Sequence, residues 1–190
     1  VPLLVQPSLP AGSMAVLAQP SFSADGILVR PWRRSDQSAV LAAYDDPAIQ
    51  RWHCRTMTDQ EARDWIASWP GRWRAETGAG WAVVDAGEVV GQVSLRRLDF
   101  RDGTAEVSYW ILPEARGRRI ARRALSALTT WSFETLGLHR MELNHSTDNM
   151  ASCRVAQAAG FAVEGIKRRE ALHADGWHDM HMHARLDTDG

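Results

Sequence analysis

The segment that most constrains this chain is the stretch Glu106–Leu112, which runs through Pro113-Glu114-Ala115 into Arg-Gly-Arg-Arg-Ile-Ala and then into a long amphipathic run. The first part reads as a strand. The last reads as a helix from about Gly117 to Leu136, with Ala121, Ala124, Leu125, Leu128 and Trp131 on one face. Gly137 then supplies a C-terminal cap. A loop at such a helix start presents unpaired backbone N–H groups and the positive end of the helix dipole. Five arginines (Arg116, Arg118, Arg119, Arg122 and Arg123) crowd into the same two turns. Together these features suit a pyrophosphate and one further phosphate; a solvated basic helix end or a nucleic-acid patch is the alternative reading.

The rest of the chain supplies partners for this unit. Ile27–Trp32 reads as a strand, and Ala39–Tyr44 as a short helix that stops near Asp45-Asp46-Pro47. Thr58 and Glu61 form a capping box that opens a second helix, on which Ala62, Trp65, Ile66, Trp69 and Trp73 recur at helical spacing. Pro70 is expected to break or kink it. Trp81–Val84 and Glu88–Leu95 read as a hairpin across Asp85-Ala86-Gly87, and Ala105–Leu112 as the next strand. A strand at Leu138–His145, a helix at Asn149–Ala159 ending in Gly160, and strands at Phe161–Arg169 and His178–Leu186 complete the chain. The order predicts an α/β (α+β) fold with a mixed, mostly antiparallel sheet of about seven strands and helices on both faces.

Composition narrows the function classes. A length of 190 residues fits one domain with a proper core, and the net charge of −1 argues against an electrostatic nucleic-acid or membrane binder. Two cysteines, Cys54 and Cys153, suggest no disulfide framework and a reduced, cytoplasmic setting. Residues 1–22, a mixture of Pro, Ser, Ala and Leu with no basic start, are expected to be a disordered leader or a segment introduced by expression, with Met14 as an alternative start. Residues 23–190 then form a single domain.

In the order strand, basic loop, helix, strand, helix, the chain resembles the GNAT N-acetyltransferase superfamily. The family's loop motif is Gln or Arg, two residues, Gly, one residue, then Gly or Ala. Arg116 and Ala121 fill its ends, and Arg119 stands where the family usually has Gly. The stretch Asp148–Phe161, together with Ser-Tyr-Trp-Ile-Leu-Pro-Glu-Ala-Arg-Gly upstream and Gly-Trp-His-Asp near the end, resembles the branch of ribosomal-protein N-terminal acetyltransferases. The resemblance covers about Ile27 to Leu186. It implies an acyltransferase domain whose sheet splays between its fourth and fifth strands to admit acetyl-CoA.

The same resemblance assigns residues to roles. Trp110, Ile111 and Leu112 would pair with the pantetheine amides. Arg116, Gly117, Arg118, Arg119, Ile120 and Ala121 would hold the pyrophosphate, and Asn149 and Ser152 the cofactor arm. Many members place a tyrosine acid on the helix after the fifth strand; here that position is Ala156, and Ser152 is the substitute donor to sulfur. Asn149 and Ser152 equally suit plain helix capping. Glu170 matches the branch's carboxylate base acting through water; His145 is its rival by pKa, and Glu106 a third candidate.

Acceptor recognition is expected from Ile49–Thr56, which holds Arg51, Trp52 and His53, with Trp52 or Trp81 as an aromatic wall. Arg51 would suit an acceptor carboxylate or a succinyl donor. His173, His178, His181 and His183 invite a metal reading, but no Cys or carboxylate spacing accompanies them, and no metal is expected. The leading expectation is acetyl transfer to a primary amine, on a protein N-terminus or a small molecule, by a monomer or homodimer without nucleic-acid or membrane partners. The alternatives are a succinyl-CoA-dependent transferase, a non-catalytic acyl-CoA-binding module and an arginine-helix nucleic-acid binder.

Overall fold

A computed structural model describes residues 5–189. Eight strands and five α-helices follow one another along the chain. They are β1 (Phe22–Ala24), β2 (Ile27–Pro31), α1 (Gln37–Asp45), α2 (Pro47–His53), α3 (Asp59–Arg74), β3 (Ala79–Asp85), β4 (Glu88–Asp99) and β5 (Thr104–Ile111). Then come α4 (Ile120–Trp131), β6 (Arg140–Ser146), α5 (Met150–Ala158), β7 (Ala162–His173) and β8 (Gly176–Leu186). All eight strands form one sheet in the order β1-β2-β3-β4-β5-β6-β8-β7. Every neighbouring pair is antiparallel except β5 with β6.

The expected mixed sheet is present, with one strand and one helix beyond the expected set. β1 adds only a short ribbon against β2 across Asp25-Gly26, too brief to leave a pattern. α2 lies in Asp46-Pro47, which ends α1 and also starts a new helix. Pro47 occupies a first-turn position, and Asp46 Oδ1 accepts from Ile49 N at 2.9 Å. α3 carries the expected capping box, with Glu61 N donating to Thr58 Oγ1 at 3.3 Å and Thr58 N to Glu61 Oε2 at 2.7 Å. It runs on through Pro70 rather than breaking there. Buried Trp69 and Trp73 on either side hold the last turn to the core, which offsets the one lost helix bond.

Alternation along β5 divides the interior. Ala105, Val107 and Ile111 face a large cluster with Trp81, Leu125, Leu128, Trp131 and Met141. Trp110 and Leu112 face a smaller one with Val40, Tyr44, Ile49 and Ile66. Within the segment expected to be a disordered leader or one introduced by expression, Ser8 N and Leu9 N donate to Arg101 O and Phe100 O. Met14 is fully buried and Leu9 nearly so, both within the large cluster. Glu76 collects the N–H groups of Gly12, Met14 and Ala15 at 2.7, 2.8 and 3.0 Å. Burial opposes its charge, yet these donors hold its carboxyl below the ordinary value. Residues 1–4, part of the expected leader, and Gly190 lie outside the described residues.

One junction matters most. The parallel contact between β5 and β6 consists of three residue pairs, Thr104 with Arg140, Ala105 with Met141 and Glu106 with Glu142. Beyond the last pair the strands part, which is the expected splay between the strands at Ala105–Leu112 and Leu138–His145.

Candidate active site

The parting strands open a cleft of about 370 Å³. Among its walls are Glu106 and Tyr109 from β5, Asn144 and His145 from β6, Asn149 and Ser152 from α5, and Glu170 from β7. The fold thus brings the residues singled out for catalysis to one opening.

Asn149 caps α5, its Oδ1 accepting from Ser152 N at 3.1 Å. Ser152 Oγ lies 2.8 Å from the hydroxyl of Tyr109. Burial pushes the Tyr109 hydroxyl up to about 12, against the opposing pull of Ser152, so it remains protonated through the working range. Tyr109 is a hydroxyl on β5, whereas the family resemblance points to a tyrosine on α5. Ala156, which stands at that position of α5, is fully buried in the core. The available signal was the alternation of Ser108-Tyr109-Trp110, which turns Tyr109 toward the α5 face while Trp110 turns away.

The candidate bases differ in their surroundings. Glu170 sits half-exposed, its Oε1 accepting from Lys167 Nζ at 2.8 Å. Glu106 is buried and gripped by Arg96 at 2.7 Å and Arg97 at 3.0 Å, with Asn144 Nδ2 at 3.4 Å. His145 is buried, with Nδ1 2.7 Å from Ser146 O and Nε2 3.0 Å from His183 Nε2. Both of its ring nitrogens are therefore engaged, and burial lowers its pKa.

Along β5 the backbone groups turned into the gap are those of Tyr109 and Ile111. His53 Nε2 lies 3.2 Å from Tyr109 O, and Arg116 Nε donates to Ile111 O at 3.1 Å. Trp110 faces Gln92 on β4, and Leu112 N donates to Val90 O. Burial, with Arg96 and Arg55 adding to it, lowers the His53 pKa to about 4, so its ring is neutral.

At the basic loop, α4 starts at Ile120 rather than Gly117, and no side chain caps it. Its first N–H groups are left for an external acceptor. Gly117 has φ +77°, and Arg119 takes the left-handed conformation at φ +58°. That backbone is the one glycine adopts freely, so the chain keeps the loop path and bears the strain of a side chain. Arg116 turns back to Asp46 at 2.9 Å. Arg118 pairs with Asp85, and Arg118, Arg119, Arg122 and Arg123 line a surface hollow beside β1.

The chain that folds this way matches a family model described as the acetyltransferase (GNAT) domain over residues 27–162. The chain belongs to the GNAT acetyltransferases. It is an acetyl-CoA-dependent N-acetyltransferase. An uncharacterised N-acetyltransferase of Bacillus subtilis, YoaA, is 25% identical over 79% of this chain and 87% of its own length. The ribosomal-protein-serine acetyltransferase of Escherichia coli is 30% identical, but over only 52% of this chain and 55% of its own length. A solved structure of RimL, a ribosomal alpha-N-protein acetyltransferase in complex with coenzyme A, superposes with a TM-score of 0.82 at 20% identity, covering 88% of this chain and 98% of that one.

Around the cleft of this acetyltransferase, Trp52 lines the opening, and Arg51 stacks over its ring at 4.6 Å. Trp81, the other expected wall, is instead fully buried among Phe22, Trp73 and Trp131. Its large apolar surface is spent on the core. His173 and His178 stack on each other at 4.4 Å, away from His181 and His183. Those two join His145, and the fold adds Cys153 from α5, so that one ligand atom of each lies within 4.8 Å of the others. No sequence spacing announces this group, because its members come from three elements. Among the described residues no helix is long and apolar enough to cross a membrane.

Proposed function

We propose that this acetyltransferase passes the acetyl group of acetyl-CoA directly to a primary amine, with a protein N-terminus as the acceptor. The observation that carries the proposal is the Tyr109–Ser152 hydrogen bond of 2.8 Å at the wall of the split, one turn from Asn149. The acyltransferase domain comprises residues 23–190 together with the preceding segment whose Leu9 and Met14 enter its core, in a cytoplasmic setting where acetyl-CoA is made. The uncapped first turn of α4 and Arg118, Arg119 and Arg122 hold the phosphates, and the gap-facing backbone of β5 holds the pantetheine arm. The amine nitrogen attacks the thioester carbonyl, the carbon–sulfur bond breaks, and the sulfur leaves as thiolate. Ser152 donates a hydrogen bond to that sulfur, itself supported by Tyr109, which stays protonated at neutral pH. Glu170 takes the ammonium proton through water. It suits this work better than Glu106, whose carboxylate oxygens are already taken by Arg96 and Arg97. His145 has no ring nitrogen to spare.

The protein N-terminus is favoured over a small amine by the ribosomal-protein acetyltransferases among its relatives and structural neighbours. The decisive test is thiol release with acetyl-CoA and succinyl-CoA against a panel of N-terminal peptides and small amines. Glu170→Gln should lower kcat by about a hundredfold or more, and Ser152→Ala by less. Tight coenzyme A binding by calorimetry with no thiol release on any amine would instead establish a non-catalytic acyl-CoA-binding module.

A further inference from the structure

We propose that His145, Cys153, His181 and His183 form a four-ligand site for a tetrahedral divalent metal, zinc by the chemistry of its donors, which rivets α5 to β6 and β8. The proposal rests on side-chain geometry outside the assigned reaction and stands whether or not the acceptor is correctly identified.

The placement follows from register. His145 pairs with His181 and Leu143 with His183 across β6 and β8, so all three imidazoles project from one face of the sheet. Cys153 descends on them from α5. His145, Cys153 and His183 are each more than nine-tenths buried, at 5%, 6% and 1% exposure. His181 Nδ1 is buried with no hydrogen-bond partner, a costly arrangement in a folded core.

Proton counting sharpens the point. Two rings share three contacts: His145 Nδ1 to Ser146 O at 2.7 Å, His183 Nδ1 to Phe161 O at 3.3 Å, and one between the rings, Nε2 to Nε2 at 3.0 Å. Each contact needs one hydrogen, and two neutral imidazoles bring two. If both Nδ1–H groups donate to their carbonyls, two bare Nε2 lone pairs face each other. A third proton, making one ring an imidazolium, is the other way to close the gap. A metal ion at the Nε2 pair resolves the deficit without that proton. The carbonyls then serve as the outer partners that metal-bound histidines usually have.

The donor set is specific. Three neutral imidazoles and one thiolate suit zinc, with Zn–N of about 2.0–2.1 Å and Zn–S of about 2.3 Å. Tetrahedral placement then needs ligand atoms about 3.3–3.7 Å apart. The group, now within 4.8 Å, must draw inward, while the Nε2 pair opens by a few tenths of an ångström. Four protein ligands leave no open position, so the site is structural. Binding releases the Cys153 proton. Since Cys153 follows Ser152 directly, the metal would fix the helix turn that presents Ser152 to the cleft.

The test uses the full-length protein, free of any histidine tag and stripped with chelator. Cobalt(II) titration should saturate at one equivalent, with visible bands of a tetrahedral ion and a thiolate-to-metal band in the near ultraviolet. Zinc should displace it and raise the thermal midpoint by several degrees. Cys153→Ser should lose the thiolate band and bind at least tenfold more weakly, and His181→Ala, at a less buried position, should weaken binding without unfolding. Absence of a cobalt spectrum and of any zinc-dependent thermal shift in the folded wild-type protein overturns the proposal. So does a thiolate band that persists in Cys153→Ser, which would place the metal at exposed Cys54.

Discussion

The two sides of the split sheet are built on different physics. On the β1–β5 side, β3 is buried from Ala79 through Val84 and β4 from Val90 through Leu95. Both faces of these strands are covered, so this half is held by apolar burial and close packing. On the far side, β7 has no buried residue along its length, and the buried positions of β8 include His178 and His183. That half depends on ladder hydrogen bonds and on polar groups whose protonation matters. Catalytic candidates come from both halves, so the site joins a rigid wall to a titratable one.

The largest expected effect tests the packed side. Trp81→Ala should cost about 3–5 kcal/mol in urea unfolding, because its ring fills a core shared with Phe22, Trp73 and Trp131. Trp177→Ala on β8, where the ring is 53% exposed, should cost under about 0.5 kcal/mol. Equal losses would erase the distinction between the halves.

Next comes pH. His53, His145 and His183 all have folded-state pKa values lowered by burial, His53 to about 4. The unfolded chain therefore takes up protons first as pH falls. Stability should be full above about pH 6.5 and decline toward pH 4, with His53 contributing at most about 3 kcal/mol. Hydrogen exchange should report the loss in β6 and β8 before β3 and β4. Early opening of β3 would contradict the contrast.

A smaller effect probes how tight the packed side is. A Cβ on Gly80 would lie 2.5 Å from the Trp69 ring, so Gly80→Ala should cost about 1–3 kcal/mol by thermal unfolding. Smallest is Arg119→Gly at the phosphate loop. Relief of the left-handed strain, partly offset by the greater freedom of glycine in the unfolded chain, should leave a gain below about 1 kcal/mol. Coenzyme A affinity, followed by calorimetry, should fall with the lost charge. An unchanged affinity would remove Arg119 from the phosphate site.

What could be read from the sequence had local causes. The strand, basic loop and helix from Ala105 to Leu136, the Thr58–Glu61 capping box and the Asp85-Ala86-Gly87 turn are each set by a few adjacent residues. Asn149 was readable as a cap for the same reason. What escaped is non-local. Periodicity assigns Tyr109 and Ser152 each to a face but does not say that those faces meet, 43 residues apart. Met14 packs beside backbone that Glu76 gathers from more than 60 residues away, and Leu9 is held by its N–H to Phe100 O. Cys153 joins the histidines only once α5 has been laid across β6 and β8.

The last pair before the split has a further consequence. Glu106 and Glu142 face each other in register, and each finds its arginine on its own side: Glu106 on β4 and the turn-ward end of that strand, Glu142 at Arg140, 2.9 Å away on β6. Like charges on directly opposed strand positions repel. Each carboxylate is instead neutralised within its own half, and the ladder ends at this pair. Opening then belongs to the ligand-free protein, and binding energy need not be diverted to prising the sheet open.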